Sequence, residues 1–195
     1  MRFSLIVALF LVLPLAANSQ PAKNSHASPY AGEESRSIKS LSGKDIAELR
    51  RGGGWGLAKA GELNGVPGPA HLLELKDEIP LNKKQVAAIR AIYKAMKGQA
   101  IFEGEKLIAL EKKLDDEFRK RTINDKTLGQ LLADIAGSRS KLRYIHLSTH
   151  LKTPTLLTEL QITRYNALRG YGENPCGNVP KGHDAAKWRE HNQCN

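Results

Sequence analysis

One pattern occurs twice in this chain, at Leu81-Asn82-Lys83-Lys84-Gln85 and at Leu157-Thr158-Glu159-Leu160-Gln161. Each copy sets an apolar residue before a helix-capping residue, and a glutamine three positions after the cap. That is the arrangement of a capping box. The Asn or Thr side chain accepts from the backbone N–H three residues on, and the Gln reaches back to the cap's own N–H. Leu81 with Val86, and Leu157 with Ile162, fit the hydrophobic staple around the same caps. The chain is thus directed to start one helix at Lys83 and another at Glu159.

Between these starts, Val86, Ile89, Tyr93, Met96, Ala100, Leu107, Leu110 and Leu114 alternate three and four apart. This is the stripe of an amphipathic helix running from about Lys83 to Lys120, with Glu103 interrupting it. Arg121 to Asp125 supplies a turn and the next cap. Leu128, Leu131, Ile135, Leu142 and Ile145 carry the spacing onto a second helix, to about Lys152, and Thr153-Pro154 ends it. A last helix, Glu159 to Arg169, stops at Gly170. Upstream, Ser42 to Asp45 starts a short helix that Gly52-Gly53-Gly54 terminates. Trp55 to Leu63 and His71 to Glu78 read as two more, and Pro80 closes the second. No segment alternates apolar and polar residues long enough to make a strand. The expected fold is all-α: a long antiparallel helical hairpin with short flanking helices. So long a pair buries only a narrow stripe, and completing it against a second copy predicts a homodimer.

The two ends read differently. Residues 1–19 have a positive start at Arg2, an apolar run from Phe3 to Ala17, and Ala17-Asn18-Ser19 as small–x–small before a cut. This is the pattern of a cleaved secretory signal. Residues 20–40 are polar and read as a flexible leader. The helical domain spans 41–171, and 172–195 form a tail. The chain's two cysteines, Cys176 and Cys194, both fall in that tail. After export to an oxidising compartment such an isolated pair reads as a disulfide. His183, Trp188 and His191 lie within the loop it would close.

The chain carries 30 Lys and Arg against 20 Asp and Glu, a formal charge of +10. A positive balance favours acidic partners, and export makes nucleic acid the least fitting of them. The triple glycine follows a helix rather than a strand, and no Gly-Lys-Ser/Thr follows it, so it reads as a joint and not as a phosphate loop. There is no nucleophile elbow and no recognisable carboxylate pair, so the chain does not read as an enzyme.

Two copies of L-[TN]-x-x-Q around a charged helical pair, behind an export signal, resemble the LTxxQ-motif family of Spy/CpxP periplasmic proteins. The similarity covers roughly Ala70 to Tyr171. The second copy matches fully; the first has Asn82 where the family has Thr, and Asn caps equally well. The resemblance implies a cradle-shaped dimer in the periplasm. Its basic and apolar concave face would hold unfolded or misfolded exported proteins without ATP, as a chaperone in envelope stress. Lys83, Lys84, Arg90, Lys94 and Lys97 on the first long helix, with Arg139 and Arg143 on the second, are the basic residues expected on that face. No cofactor is required for this role.

His146 and His150 are four apart on the second long helix, so both imidazoles project from one side. One helix can in this way supply two ligands to Zn, Ni, Co or Cu. His146-Leu147-Ser148-Thr149-His150 lacks the glutamate of the zincin motif. A third ligand would come from His71 or Glu74, if their helix folds back over the pair. A related branch of the resembling family senses or resists heavy metals, and a metal-binding sensor is therefore the alternative reading. Otherwise His146 continues the Leu142 side as a core-edge residue. A third reading is a regulatory partner of a membrane sensor kinase.

Overall fold

The computed structural model describes residues 26–172, 176–177, 179, 181–192 and 194. Residues 1–19, read above as an export signal, lie outside the described residues. The chain divides into a short unit ending at Glu34 and a larger one from Ser35. The described residues of the short unit are turns leading into a 3-10 helix, Glu33–Ser35. All that follows concerns the larger unit.

It is all-helical. Seven α-helices occur among the described residues: α1 (Gly43–Arg50), α2 (Lys59–Glu62), α3 (Pro69–Glu74), α4 (Lys83–Lys120), α5 (Asp125–Lys152), α6 (Glu159–Leu168) and α7 (Ala185–His191). None of them is long and apolar enough to cross a membrane. No strand is present among the described residues beyond an isolated bridge between Ile38 and Leu41.

The long pair α4 and α5 starts and stops where its caps dictate. Asn82 and Gln85 form a complete capping box, and Thr158 and Gln161 form another at α6. Ser42 with Asp45 makes a third, at α1. Asn124 caps α5 by accepting from the Thr127 N–H. Arg121 closes α4 in the left-handed region, at φ 57°. The other short helices differ from the reading above. α3 begins two residues before His71, because Pro69 fits the first helical position, and it ends at Glu74. The segment from Trp55 condenses to the single turn of α2, since Trp55 itself sits at φ 43° and Gly56 at φ 70°. α7 lies in the tail, where no helix was expected.

The core falls into two clusters. The larger joins Met96, Ala100, Leu107 and Ile108 of α4 to Ile135, Leu142 and Ile145 of α5, roofed by Ile38, Leu41 and Leu49. The smaller gathers Leu72, Ile79, Ile89 and Tyr165 where α3, α4 and α6 meet. Ile38 is 3% exposed, so the segment read as a leader ends inside the core. Glu103 does not break the stripe. It is fully buried within it, its carboxylate 2.9 Å from Lys141 Nζ and 3.6 Å from Lys106 Nζ. The small Ser138 faces it from α5 and donates toward the Glu103 carbonyl at 3.5 Å.

Residues 35–80 cover one side of the pair. α1 and α3 pack on α4, and α2 packs on α5. The approach is close because Gly104 of α4 lacks a side chain; a Cβ there would stand 2.7 Å from the Leu49 carbonyl oxygen. At Gly52, where φ is +65°, a Cβ would stand 2.9 Å from the Lys97 carbonyl oxygen.

Candidate functional site

The two motif glutamines meet. Gln85 Nε2 donates to Gln161 Oε1 at 2.9 Å and to the Leu156 carbonyl at 2.7 Å. Gln161 Nε2 donates to Gln85 Oε1 at 3.2 Å and to the Pro80 carbonyl at 2.8 Å. Each Oε1 also accepts from its own cap, Asn82 N–H at 2.9 Å and Thr158 N–H at 3.0 Å. Pro80 and Leu156 each stand two residues before their cap, so the junction has local two-fold character. Both amides use their two donors and two acceptor sites in full. A glutamate would complete either box but could not donate, which explains why both positions are Gln. Leu81 and Leu157 pack against the smaller core cluster.

His71, His146 and His150 lie along one cavity. A cavity of about 380 Å³ opens between the cover and the long pair. His146, His150, His71 and Glu74 all line it, with Met96, Tyr93, Trp55 and the Gly52–Gly54 backbone. They do not converge as ligands. His150 Nδ1 donates to the Val66 carbonyl at 2.7 Å, and its ring lies so close to Gly61 and Gly68 that a Cβ at either would meet it at 3.0 Å or less. His71 Nδ1 donates to Glu74 at 2.7 Å, while its Nε2 accepts from Arg169 at 3.3 Å. His146 is 4% exposed, and its Nε2 finds no hydrogen-bond partner. Burial, then the neighbouring His150, push its pKa down, so the ring is held neutral. Among the described residues no group of three His, Cys, Asp or Glu is arranged to hold a metal ion.

One end of the cavity is closed by a polar network that sequence spacing does not reveal. Glu62 of α2 accepts from Arg169 at 2.9 Å, from Tyr165 at 3.2 Å and from Tyr171 at 3.1 Å. Burial pushes the Glu62 carboxyl up, but His71, Arg169 and Tyr171 outweigh it and hold it below the ordinary range. Burial and then the Glu62 charge push the Tyr165 hydroxyl far up, so it stays a donor.

Among the described residues the other side of the pair is open. Two grooves run there between α4 and α5, one lined by Ala91, Ile92, Ala95, Ile145, Ser148 and Lys152 among others, the next by Gly98, Gln99, Phe102 and Lys141. No residue of 35–80 lines either groove. Phe102 and Tyr144 are each 71% exposed and Leu151 76%. The basic residues named from sequence differ in their surroundings. Lys83, Lys84, Arg90, Lys94 and Arg143 are exposed. Lys97 lies over the Tyr93 ring, against Gly52 of the cover. Arg139, also exposed, stacks on Trp55 at 4.7 Å and reaches Glu111 at 3.5 Å. The cations beside the grooves are Lys141 and Lys152.

In the tail, Cys176 and Cys194 are joined as a disulfide with Cα atoms 5.5 Å apart. Within that loop the His183 and Trp188 rings meet edge to face at 4.9 Å.

No family model matches the chain, and neither a curated protein nor a solved structure matches it significantly.

Proposed function

We propose that this chain is an exported, periplasmic protein of the Spy/CpxP type that holds unfolded or misfolded proteins on its helical surface without ATP. One observation carries the reading. Among the described residues the long pair is covered on one side and bare on the other, and the bare side joins small and apolar groove residues to exposed Phe102, Lys141 and Lys152. Lysines raise the rate of encounter with acidic chains, and the apolar groups hold them weakly. The pair acts as an antiparallel hairpin, and two copies facing each other form a cradle around the client. The twin capping boxes, locked through Gln85 and Gln161, fix the base of that hairpin.

The test is light scattering from an aggregating, chemically denatured client in metal-free buffer. The account expects suppression near stoichiometric amounts, weakened by salt and unchanged by His146→Ala with His150→Ala. No suppression at any ratio refutes it.

A second reading, a heavy-metal-binding sensor or resistance protein, is favoured by the cavity that His146, His150, His71 and Glu74 share and by the unpartnered His146 Nε2. Titration with zinc, nickel, cobalt and copper decides it: saturable binding lost in His146→Ala supports a sensor. A membrane sensor kinase would engage the same open side.

A further inference from the structure

We propose that the Cys176–Cys194 disulfide is a thiol–disulfide exchange site, opened by a dithiol reductant in a direction set by Arg164. The two sulfurs have different surroundings. Arg164, on α6, points a guanidinium N–H at Cys176 Sγ, 2.8 Å away. The same guanidinium is steadied by donating from Nε to the Glu78 carbonyl at 3.4 Å. Cys194 lies at the other end of the loop, its backbone N–H on the Arg189 carbonyl at 2.8 Å. Neither cysteine is buried. In thiol–disulfide exchange the sulfur with the lower thiol pKa leaves faster, and a neighbouring arginine lowers that pKa. Cys176 is therefore the leaving sulfur and Cys194 the sulfur attacked.

The step balances as follows. One thiolate of the dithiol bonds to Cys194 Sγ. The Cys176–Cys194 bond breaks, and its electron pair leaves on Cys176 as a thiolate beside Arg164. The second thiol of the reductant, deprotonated, then attacks its own partner sulfur in the mixed disulfide. Cys194 is released as a thiolate that takes up a proton. The reductant closes to a cyclic disulfide, having lost two electrons, and the protein has gained them.

Opening this bond releases α7. Its seven residues bury no side chain, and a helix so short does not persist without tertiary support. The Asp184 cap and the Cys194 backbone contact hold its two ends only while the loop is closed. The sensed quantity is thus the thiol poise of the compartment, and the output is the loss of α7.

The experiment uses the full mature chain. A monothiol, 2-mercaptoethanol, is added briefly, free thiols are blocked, and the mixed disulfide is located by peptide mapping. The adduct is expected on Cys194; an adduct mainly on Cys176, or equally on both, overturns the proposal. This measurement needs no variant. In Arg164→Met the rate of reduction by dithiothreitol should fall about three- to ten-fold, and the adduct should spread over both sulfurs, while Arg164→Lys keeps most of the wild-type rate. An unchanged rate and adduct position in folded Arg164→Met also overturns it.

Discussion

Gln85 and Gln161 each serve two structures with one amide. Within its own motif each closes a capping box, and across the junction each donates to the other's oxygen and to a backbone carbonyl. The first role was legible, because a capping box is a local pattern three residues long. The second was not, because it joins positions 76 residues apart and no spacing rule reaches so far. A double-mutant cycle between Gln85→Ala and Gln161→Ala should therefore give a coupling of about 1 kcal/mol in chemical denaturation. Additive losses would mean that the two caps act alone. His146 supplies a second prediction. A buried ring nitrogen without a partner costs about 1–3 kcal/mol, so His146→Leu should leave the melting temperature unchanged or raise it. A clear drop would show that the nitrogen is satisfied by something the protein binds.

At the scale of elements, both bounds of α4 and α5 could be read from caps and periodicity, whereas the cover could not. α1 lies against α4 because Gly104 admits the Leu49 carbonyl, and a glycine in a helix pattern reads only as a weakness until its neighbour is seen. Gly104→Ala should cost about 1–3 kcal/mol. Gly129→Ala, with nothing within 4 Å of its Cβ position, should instead stabilise by about 0.5–1 kcal/mol. Thermal melts of the two variants compare them directly, and equal effects would contradict the close approach.

Glu103 was read as an interruption because a charge in an apolar stripe ordinarily faces water. Here Lys141 reaches it from the neighbouring helix. Burial pushes the Glu103 carboxyl up, but Lys141, Ser138 and Lys106 outweigh that and hold it below the ordinary range. Such a group adds stability above its unfolded pKa of about 4.3 and loses it as pH falls through the lower folded value. Glu62 acts in the same sense. The melting temperature should hold from neutral pH down to about 5 and fall below about 4.3, less steeply in Glu103→Gln. A Glu103→Gln curve parallel to the wild type would remove Glu103 from this account.

The larger unit is built on a long helix pair that, among the described residues, is covered on one side and bare on the other. The all-α class was plain from the absence of alternating segments and from the two capped starts. Which side of the pair remains free was not, because it depends on where residues 35–80 fold back. That is why Arg139, counted among the client-binding cations, stacks on Trp55 of the cover, while Lys141 two positions later stands at the open groove. The central claim is that the bare side holds unfolded chains, and site-specific photo-crosslinking tests it most directly. A crosslinking residue placed at Ser148, in the groove, should capture a denatured client, and one placed at Arg50, exposed on α1 of the cover, should not. Capture from Arg50 but not from Ser148 would contradict the account.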